Sequence, residues 1–397
     1  MHIEGFEISV TDEEIEGLRA ALRHTRWPRQ VQGAGWGEGT DLAYLRDLVA
    51  YWADGFDWRA VETRLNDEPQ FVARVGEATG EPIDVHFVHR RGVGPAPLPL
   101  VLTHGWPSTY FEYHAVIGPL ADPGAHGGDP ADAFDVIVPS LPGYGFSSIP
   151  AQPGTGPSRI AALWDELVTG LGYQRYGAAG CDWGALVTSL MGLDHPEHLV
   201  GIHLGMLALR ARDRAEPTAP DDVAEEQAFS ARSRSWARVE AAYTDIQGTK
   251  PQSLAYGLND SPAGLAAWIV EKFRAWGDTD GDVESAFTRD DLLTNLSIYW
   301  FTQTIGSANR LYLEGRRNPR RLAEGERVTV PAGFLLERAL PDGHVTPNIG
   351  PPPRRRAEMV FDVQRWTIAE RGAHFPAWET PELYIDDVRA FFRDLRN

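Results

Sequence analysis

Tyr176-Gly177-Ala178-Ala179-Gly180-Cys181-Asp182-Trp183-Gly184-Ala185 runs from a short apolar strand toward a helix and sets Gly180 and Gly184 two residues either side of Asp182. A strand that turns sharply into a helix holds its central residue in strained backbone geometry. The flanking positions must be tiny, because strand and helix approach closely there. Asp182 is thus placed as a nucleophile would be. No G-x-S-x-G occurs in the chain, and centring the turn on Cys181 would put Trp183 where only small side chains fit. Taken alone the pattern also fits an ordinary Gly-rich turn, so its surroundings decide.

Two further pieces lie where such a turn would need them. His104-Gly105-Trp106-Pro107 directly follows the apolar run Leu98 to Thr103. Backbone N–H groups after that strand and after the nucleophile converge on one point in such an architecture, which makes Trp106 and Trp183 the candidate oxyanion donors. His374, in Arg371-Gly372-Ala373-His374-Phe375, follows the last apolar run, where a base would lie in a nucleophile, acid, base order.

Leu98 to Thr103, Phe134 to Val138, Tyr176 to Ala179, Leu199 to Leu204, Val328 to Leu336 and Met359 to Trp366 are short apolar runs rich in β-branched residues. Helical segments separate several of them, as a parallel sheet with crossover helices requires. The first 95 residues read instead as aromatic-rich helical pieces (Leu18 to Trp27, Leu42 to Trp52, Trp58 to Leu65) and an alternating strand, Ile83 to Val88. Residues 207 to 320 are almost purely helical, apart from a Pro- and Asp-rich connection from Glu216 to Glu226. Ser261-Pro262 opens the clearest helix, with Leu265, Ile269 and Phe273 at helical spacing. The expected fold is α/β, with an N-terminal meander (1–95), a sheet core in two parts (96–206 and 321–397) and a helical lid inserted between them (207–320).

Of 397 residues, 43% are hydrophobic and 23% charged, enough to bury a large core. Thirty-seven basic against 56 acidic side chains leave a net charge of -19, which would repel nucleic acid and anionic lipid. One cysteine cannot form an internal disulfide, and no apolar run reaches the ~18 residues of a membrane span. The acidic N-terminus lacks the basic and apolar regions of a signal peptide, so a cytoplasmic enzyme is expected. Only Lys250 and Lys272 supply lysine. Asp278 to Glu284 begins like a calcium loop, but Val283 and Arg289 replace its glycine and glutamate, so no metal is expected. Arg316 to Arg321 and Arg354 to Arg356 read as surface charge.

An aspartate nucleophile restricts the reaction. Attack on an ester or amide would produce an anhydride less stable than the starting acyl group. At a saturated carbon the carboxylate displaces a leaving group and leaves an alkyl ester that water hydrolyses. Epoxides and alkyl halides both suit that route. Epoxide opening needs a proton donor at the ring oxygen, whereas halide departure needs only weak N–H donors, so tyrosines in the lid would favour the epoxide.

With these residues assembled, the chain resembles the microsomal-type epoxide hydrolases, which include the juvenile hormone epoxide hydrolases, nearly end to end. The shared motifs are Thr25-Arg26-Trp27-Pro28, Tyr51-Trp52, Phe56-Asp57-Trp58-Arg59, the His104 to Pro107 turn, Pro139-Ser140-Leu141-Pro142-Gly143-Tyr144-Gly145-Phe146-Ser147 and Gly180 to Gly184. Thr249-Lys250-Pro251-Gln252, Leu258-Asn259-Asp260-Ser261-Pro262, Tyr299-Trp300 and Arg371 to Phe375 follow in order. Cys181 and Ala373 stand where the family usually has glycine. The resemblance implies the α/β-hydrolase fold, no cofactor, and conversion of an epoxide and water to a vicinal diol through an ester on Asp182. It implies His374 as the base for the hydrolytic water, with Tyr243 and Tyr312 hydrogen-bonding the epoxide oxygen from the lid. His104, Trp106 and Trp183 are the expected substrate contacts, and a homodimer is compatible with such a chain. Relatives serve both detoxification and secondary metabolism, including enediyne antibiotic assembly, and both roles stay open.

One departure concerns the third acid. The family carries it about nine residues beyond the Val-Pro that matches Val330-Pro331, an offset that here falls on Leu340. Asp342 is favoured, because a loop insertion places it with least strain. Glu337 would draw the acid back about 10 Å along an extended strand unless the strand ends early. Asn348 would orient the histidine without adding charge. A haloalkane dehalogenase and a non-catalytic ligand-binding member of the fold are the alternative functions; an esterase has the wrong nucleophile.

Overall fold

Before the parallel sheet begins, the N-terminal segment builds it an antiparallel edge. In the computed structural model, which describes residues 1–78, 80–211, 219–340 and 348–396, β1 (Ile3–Phe6) pairs with β2 (Gln70–Val75) and β2 with β3 (Ile83–Arg90). Helices α1 (Asp12–Arg23), α2 (Leu42–Asp54) and α3 (Trp58–Asn66) lie between β1 and β2. Sequence reading missed both of these strands: β1 is short and largely exposed, and β2 shows its apolar face, Phe71, Ala73 and Val75, over only six residues. It also began the first helix too late. Thr11 Oγ1 accepts the Glu14 N–H at 3.2 Å while Glu14 Oε2 accepts the Thr11 N–H at 2.8 Å, a capping box that starts α1 at Asp12. Pro28 disfavours helical geometry at Trp27, and the helix has already ended at Arg23.

β3 pairs antiparallel with β5, and β4 to β9 are parallel to one another. β4 (Leu98–Thr103), β5 (Phe134–Pro139), β6 (Tyr176–Gly180) and β7 (Leu199–Leu204) are buried at every position, which is why they read as unbroken apolar runs. Helices α4 (His114–Ala121), α5 (Pro157–Gly170) and α6 (Trp183–Asp194) connect them. After β7 the described residues hold α7 (Pro220–Glu240), α8 (Ala242–Gln247), α9 (Pro251–Asp260), α10 (Pro262–Trp276), α11 (Arg289–Thr302) and α12 (Ile305–Arg317). Residues 220 to 226, expected in a connecting loop, are the first turns of α7. Ser261 Oγ accepts the Gly264 N–H at 3.0 Å to cap α10, which buries Leu265, Ile269 and Phe273.

The chain then returns to the sheet with β8 (Pro331–Leu336), α13 (Arg354–Glu358), β9 (Asp362–Ile368), α14 (Pro376–Glu379) and α15 (Pro381–Arg393). The strand order is β1-β2-β3-β5-β4-β6-β7-β8-β9. β8 and β9 start later than the apolar runs indicate. Pro331 opens the first of these ladders, and Val360 and Phe361 donate to Ala357 O at 2.9 and 2.8 Å in the turn that closes α13.

The N-terminal helices hold the inserted ones in place. Trp52 Nε1 donates to Ser297 Oγ at 3.0 Å, Thr40 Oγ1 to Ala267 O at 2.6 Å, and Tyr51 Oη to Asp290 Oδ1 at 2.9 Å. Among the described residues no helix is long and apolar enough to cross a membrane. The C-terminal ends of β4, β6, β8 and β9 lead into Trp106, Asp182, Glu337 and His374, so the loops at one edge of the sheet gather these four residues.

Candidate active site

Asp182 occupies φ 51°, ψ -125°, a left-handed conformation that a non-glycine residue adopts only under constraint. The constraint is packing. A Cβ on Gly180 would lie 2.5 Å from the backbone carbon of Gly184; one on Gly184 would strike the Thr103 carbonyl, and one on Gly105 the Asp182 side chain. Strand, turn and helix can meet this closely only because all three positions are glycine. The result aims the carboxylate at the loop after β4, where the Trp106 N–H donates to Asp182 Oδ1 at 2.9 Å. Burial raises the pKa of Asp182, while the charge of His374 and the amides of Trp106 and Trp183 pull it back down. Both amides expected to form an oxyanion hole therefore act on this carboxylate.

His374 Nε2 lies 3.7 Å from Asp182 Oδ2, beyond direct hydrogen-bond reach, and has no other hydrogen-bond partner among the described residues. Burial pushes the imidazole below its ordinary pKa, and the Asp182 charge opposes that shift. The backbone around His374 is tightly held. Its N–H donates to Trp276 O at 3.2 Å and its carbonyl accepts the Cys181 thiol at 3.2 Å. Glu379 takes the Phe375 N–H at 2.8 Å, the Ala373 N–H at 3.2 Å and, from the end of the inserted helices, the Asp278 N–H at 2.6 Å. Sequence reasoning missed Glu379. Its signal is an acidic side chain one turn past the histidine, a common sight on any helix.

Tyr243 and Tyr312 face each other from α8 and α12, with ring centroids 5.6 Å apart. Trp106 stacks on Tyr243 at 5.1 Å and 12°, and Trp183 meets Tyr312 edge-on at 4.8 Å. Burial, reinforced by the Asp182 charge, keeps both phenols protonated. Tyr312 Oη is buried, with the Tyr243 hydroxyl as its polar neighbour.

A cavity of about 500 Å³ joins these groups, with Asp182, His374, Tyr243, Trp276 and Glu337 on its wall and Phe229 and Trp236 further out. Its size suits a small-molecule site. Trp106, Trp183 and Tyr312 are not on that wall; they back Asp182 and Tyr243 through the ring contacts above. His104, expected at the substrate, is buried and not on the cavity wall. Its Nδ1 faces Gly105 O at 3.0 Å and its Nε2 accepts the Leu141 N–H at 3.1 Å, so both nitrogens serve the backbone.

Of the three acid candidates, Asp342 lies outside the described residues. Glu337 follows β8 immediately, because that strand stops at Leu336. Burial pushes Glu337 up to about 7, with the Gly350 N–H at 3.3 Å and the Asn348 side chain pulling the other way. Asn348 lines the cavity too, but its amide is occupied in closing its own loop, accepting the Leu340 N–H at 2.9 Å and donating to Arg338 O at 2.7 Å. Among the described residues no cluster of His, Cys, Asp and Glu is arranged to hold a metal.

Comparison with known proteins bears on the family and the fold. Residues 3–113 match the family described as epoxide hydrolase N terminus, and residues 99–243 the alpha/beta hydrolase fold. A protein of Stigmatella aurantiaca named as a candidate epoxide hydrolase is 39% identical over 98% of this chain and 85% of its own length. Epoxide hydrolase 1 of Oryctolagus cuniculus is 33% identical over 98% of this chain and 88% of its own. The crystal structure of juvenile hormone epoxide hydrolase from Bombyx mori superimposes with a TM-score of 0.86 at 28% identity, over 100% of this chain and 95% of that one. Elbow, inserted helices and full-length similarity lead to one statement: the chain belongs to the epoxide hydrolase family.

Proposed function

We propose that this enzyme adds water to an epoxide to give a vicinal diol by way of an ester on Asp182. The observation that carries the reading is one cavity in which a strained, amide-supported carboxylate faces both a protonated phenol, Tyr243, and the His374 imidazole 3.7 Å away. In the first half-reaction an Asp182 oxygen attacks a ring carbon, the carbon–oxygen bond breaks, and Tyr243 gives its proton to the departing oxygen with Tyr312 as second donor. In the second, His374 Nε2 takes a proton from water as its oxygen adds to the ester carbonyl. The Trp106 and Trp183 amides hold the resulting oxyanion. Collapse releases the second hydroxyl, protonated by His374, and the proton left on Asp182 returns to the Tyr243 phenolate.

Glu337 is the group proposed to orient His374. It is, with Asp182, one of the two carboxylates among the described residues on the cavity wall, and it stands at the end of a parallel strand. The aromatic wall of Phe229, Trp236, Tyr243 and Trp276 suits an epoxide carrying an aromatic group.

Tyrosine substitution tests the choice of leaving group. Tyr243→Phe is expected to slow ester formation from styrene oxide about 10²-fold, and Tyr243→Phe with Tyr312→Phe by more, because each removes a donor to the developing alkoxide. Rapid-quench measurement of ester on the protein reads this directly. Unchanged rates in the double variant, or halide release from alkyl halides at rates rivalling epoxide turnover, would contradict the epoxide assignment.

The pH dependence follows from the same groups. His374 must be neutral to act, and burial holds its pKa below the usual histidine value. Once Asp182 is esterified its negative charge is gone, so the influence that raised His374 disappears and its pKa falls further. Ester hydrolysis in a single turnover is therefore expected to stay at full rate below pH ~6.5, the ordinary histidine midpoint. A loss of hydrolysis centred at or above that midpoint would contradict this environment for His374.

A further inference from the structure

One of the chain's two lysines is buried directly behind the phenol assigned as proton donor. Lys272, on α10, is 7% exposed. Its ammonium lies 5.3 Å from the ring centroid of Tyr243 and 5.6 Å from that of Trp276. Two carboxylates keep it there: Glu271 Oε2 at 2.7 Å and Glu240 Oε2 at 3.2 Å, the latter also accepting the Trp276 indole N–H at 3.2 Å. Tyr243 therefore has both a stacked indole, Trp106, and a cation against its ring. Burying an ammonium is costly unless it is paired, and here the pairing also fixes its height over the ring.

We propose that Lys272 is a positioning residue for Tyr243, fixing the phenol ring against Trp106 and offsetting the charge of Glu240, which on its own opposes the negative charge that the ring gains as its proton passes to the epoxide oxygen. A cation over an aromatic face is attracted to the ring's electron density, and the attraction grows as a phenol gives up its proton. The contact is therefore stronger in the transition state of ring opening than before it, and only such differential contacts accelerate a step. Lys272 itself touches neither substrate nor the reacting atoms. Its influence passes through Tyr243, and the proposal rests on the reading of Tyr243 as donor.

A double-mutant cycle separates this role from simple support of the lid. The rate of ester formation with styrene oxide is measured by rapid quench and intact-protein mass, in a His374→Gln background where the ester persists. Lys272→Met is expected to slow that step roughly tenfold with Tyr243 present and less than twofold when Tyr243 is already Phe. Lys272→Arg, which restores a cation, is expected to recover most of the rate. Should Lys272→Met fail to fold because Glu240 is stranded, Lys272→Gln combined with Glu240→Gln removes both charges and keeps an oxygen for the Trp276 indole. Equal losses with and without Tyr243, or no loss in either, would overturn the proposal. No loss in Tyr243→Phe alone would instead sink the donor assignment on which it stands, a distinguishable result.

Discussion

Asp182→Ala is expected to abolish diol formation, lowering turnover at least ~10⁴-fold, because no other group on the cavity wall replaces a nucleophile that forms the covalent intermediate. Cys181 is adjacent, but burial raises its thiol pKa and its Sγ is engaged with the His374 carbonyl. Glu337 follows a different strand, and burial pushes its carboxyl up to about 7. The variant should remain folded. Both residues share the same left-handed strain at position 182, and alanine removes a buried charge rather than adding one. Thermal unfolding together with the absence of any covalent adduct after incubation with epoxide checks both statements. Residual turnover within a hundredfold of the native enzyme would contradict the assignment.

His374→Gln is expected to behave differently: ring opening proceeds and hydrolysis stalls. Nothing else among the described residues offers a free basic nitrogen near Asp182, since Nε2 of His374 is 3.7 Å from the carboxylate and the nitrogens of His104 are both engaged by the backbone. Loss of a general base typically costs 10² to about 10⁴-fold, so the ester should outlive the experiment. Intact-protein mass should rise by the mass of one epoxide per chain and hold there, and proteolysis should place the increment on the peptide containing Asp182. A protein that gains no mass yet makes no diol would show His374 acting before the ester rather than after it.

Much of this site is legible in the sequence because it depends on local sterics. Gly180 and Gly184 have to be small at fixed offsets from Asp182, and the coordinates show the collisions that any Cβ would cause. Trp106 and Trp183 are found by position, since a backbone amide after a given strand acts whatever its side chain. The continuous apolar runs from β4 to β7 announce strands buried on both faces. Other features depend on contacts between distant segments and leave no local trace. β1 is a short edge strand and β2 a short one beside it, and α1 starts at a capping box rather than at its first leucine. The motif containing His104 reads as a single functional unit, yet its ring turns toward Leu141 of another loop. Glu379 and Lys272 each meet a group distant in the sequence, Asp278 in one case and Tyr243 in the other. The position of Glu337 depends on where β8 stops, a boundary that apolar composition places poorly.

A single turnover in ¹⁸O-water, with enzyme in excess over epoxide, tests the central claim. Attack by Asp182 requires the first diol released to contain no heavy oxygen, because its new hydroxyl comes from the carboxylate, while the Asp182 peptide becomes heavier by ~2 Da as water oxygen replaces it. Heavy oxygen in the diol of that first turnover, with an unlabelled Asp182 peptide, would mean that water opens the ring directly and that the carboxylate at the elbow is not the nucleophile.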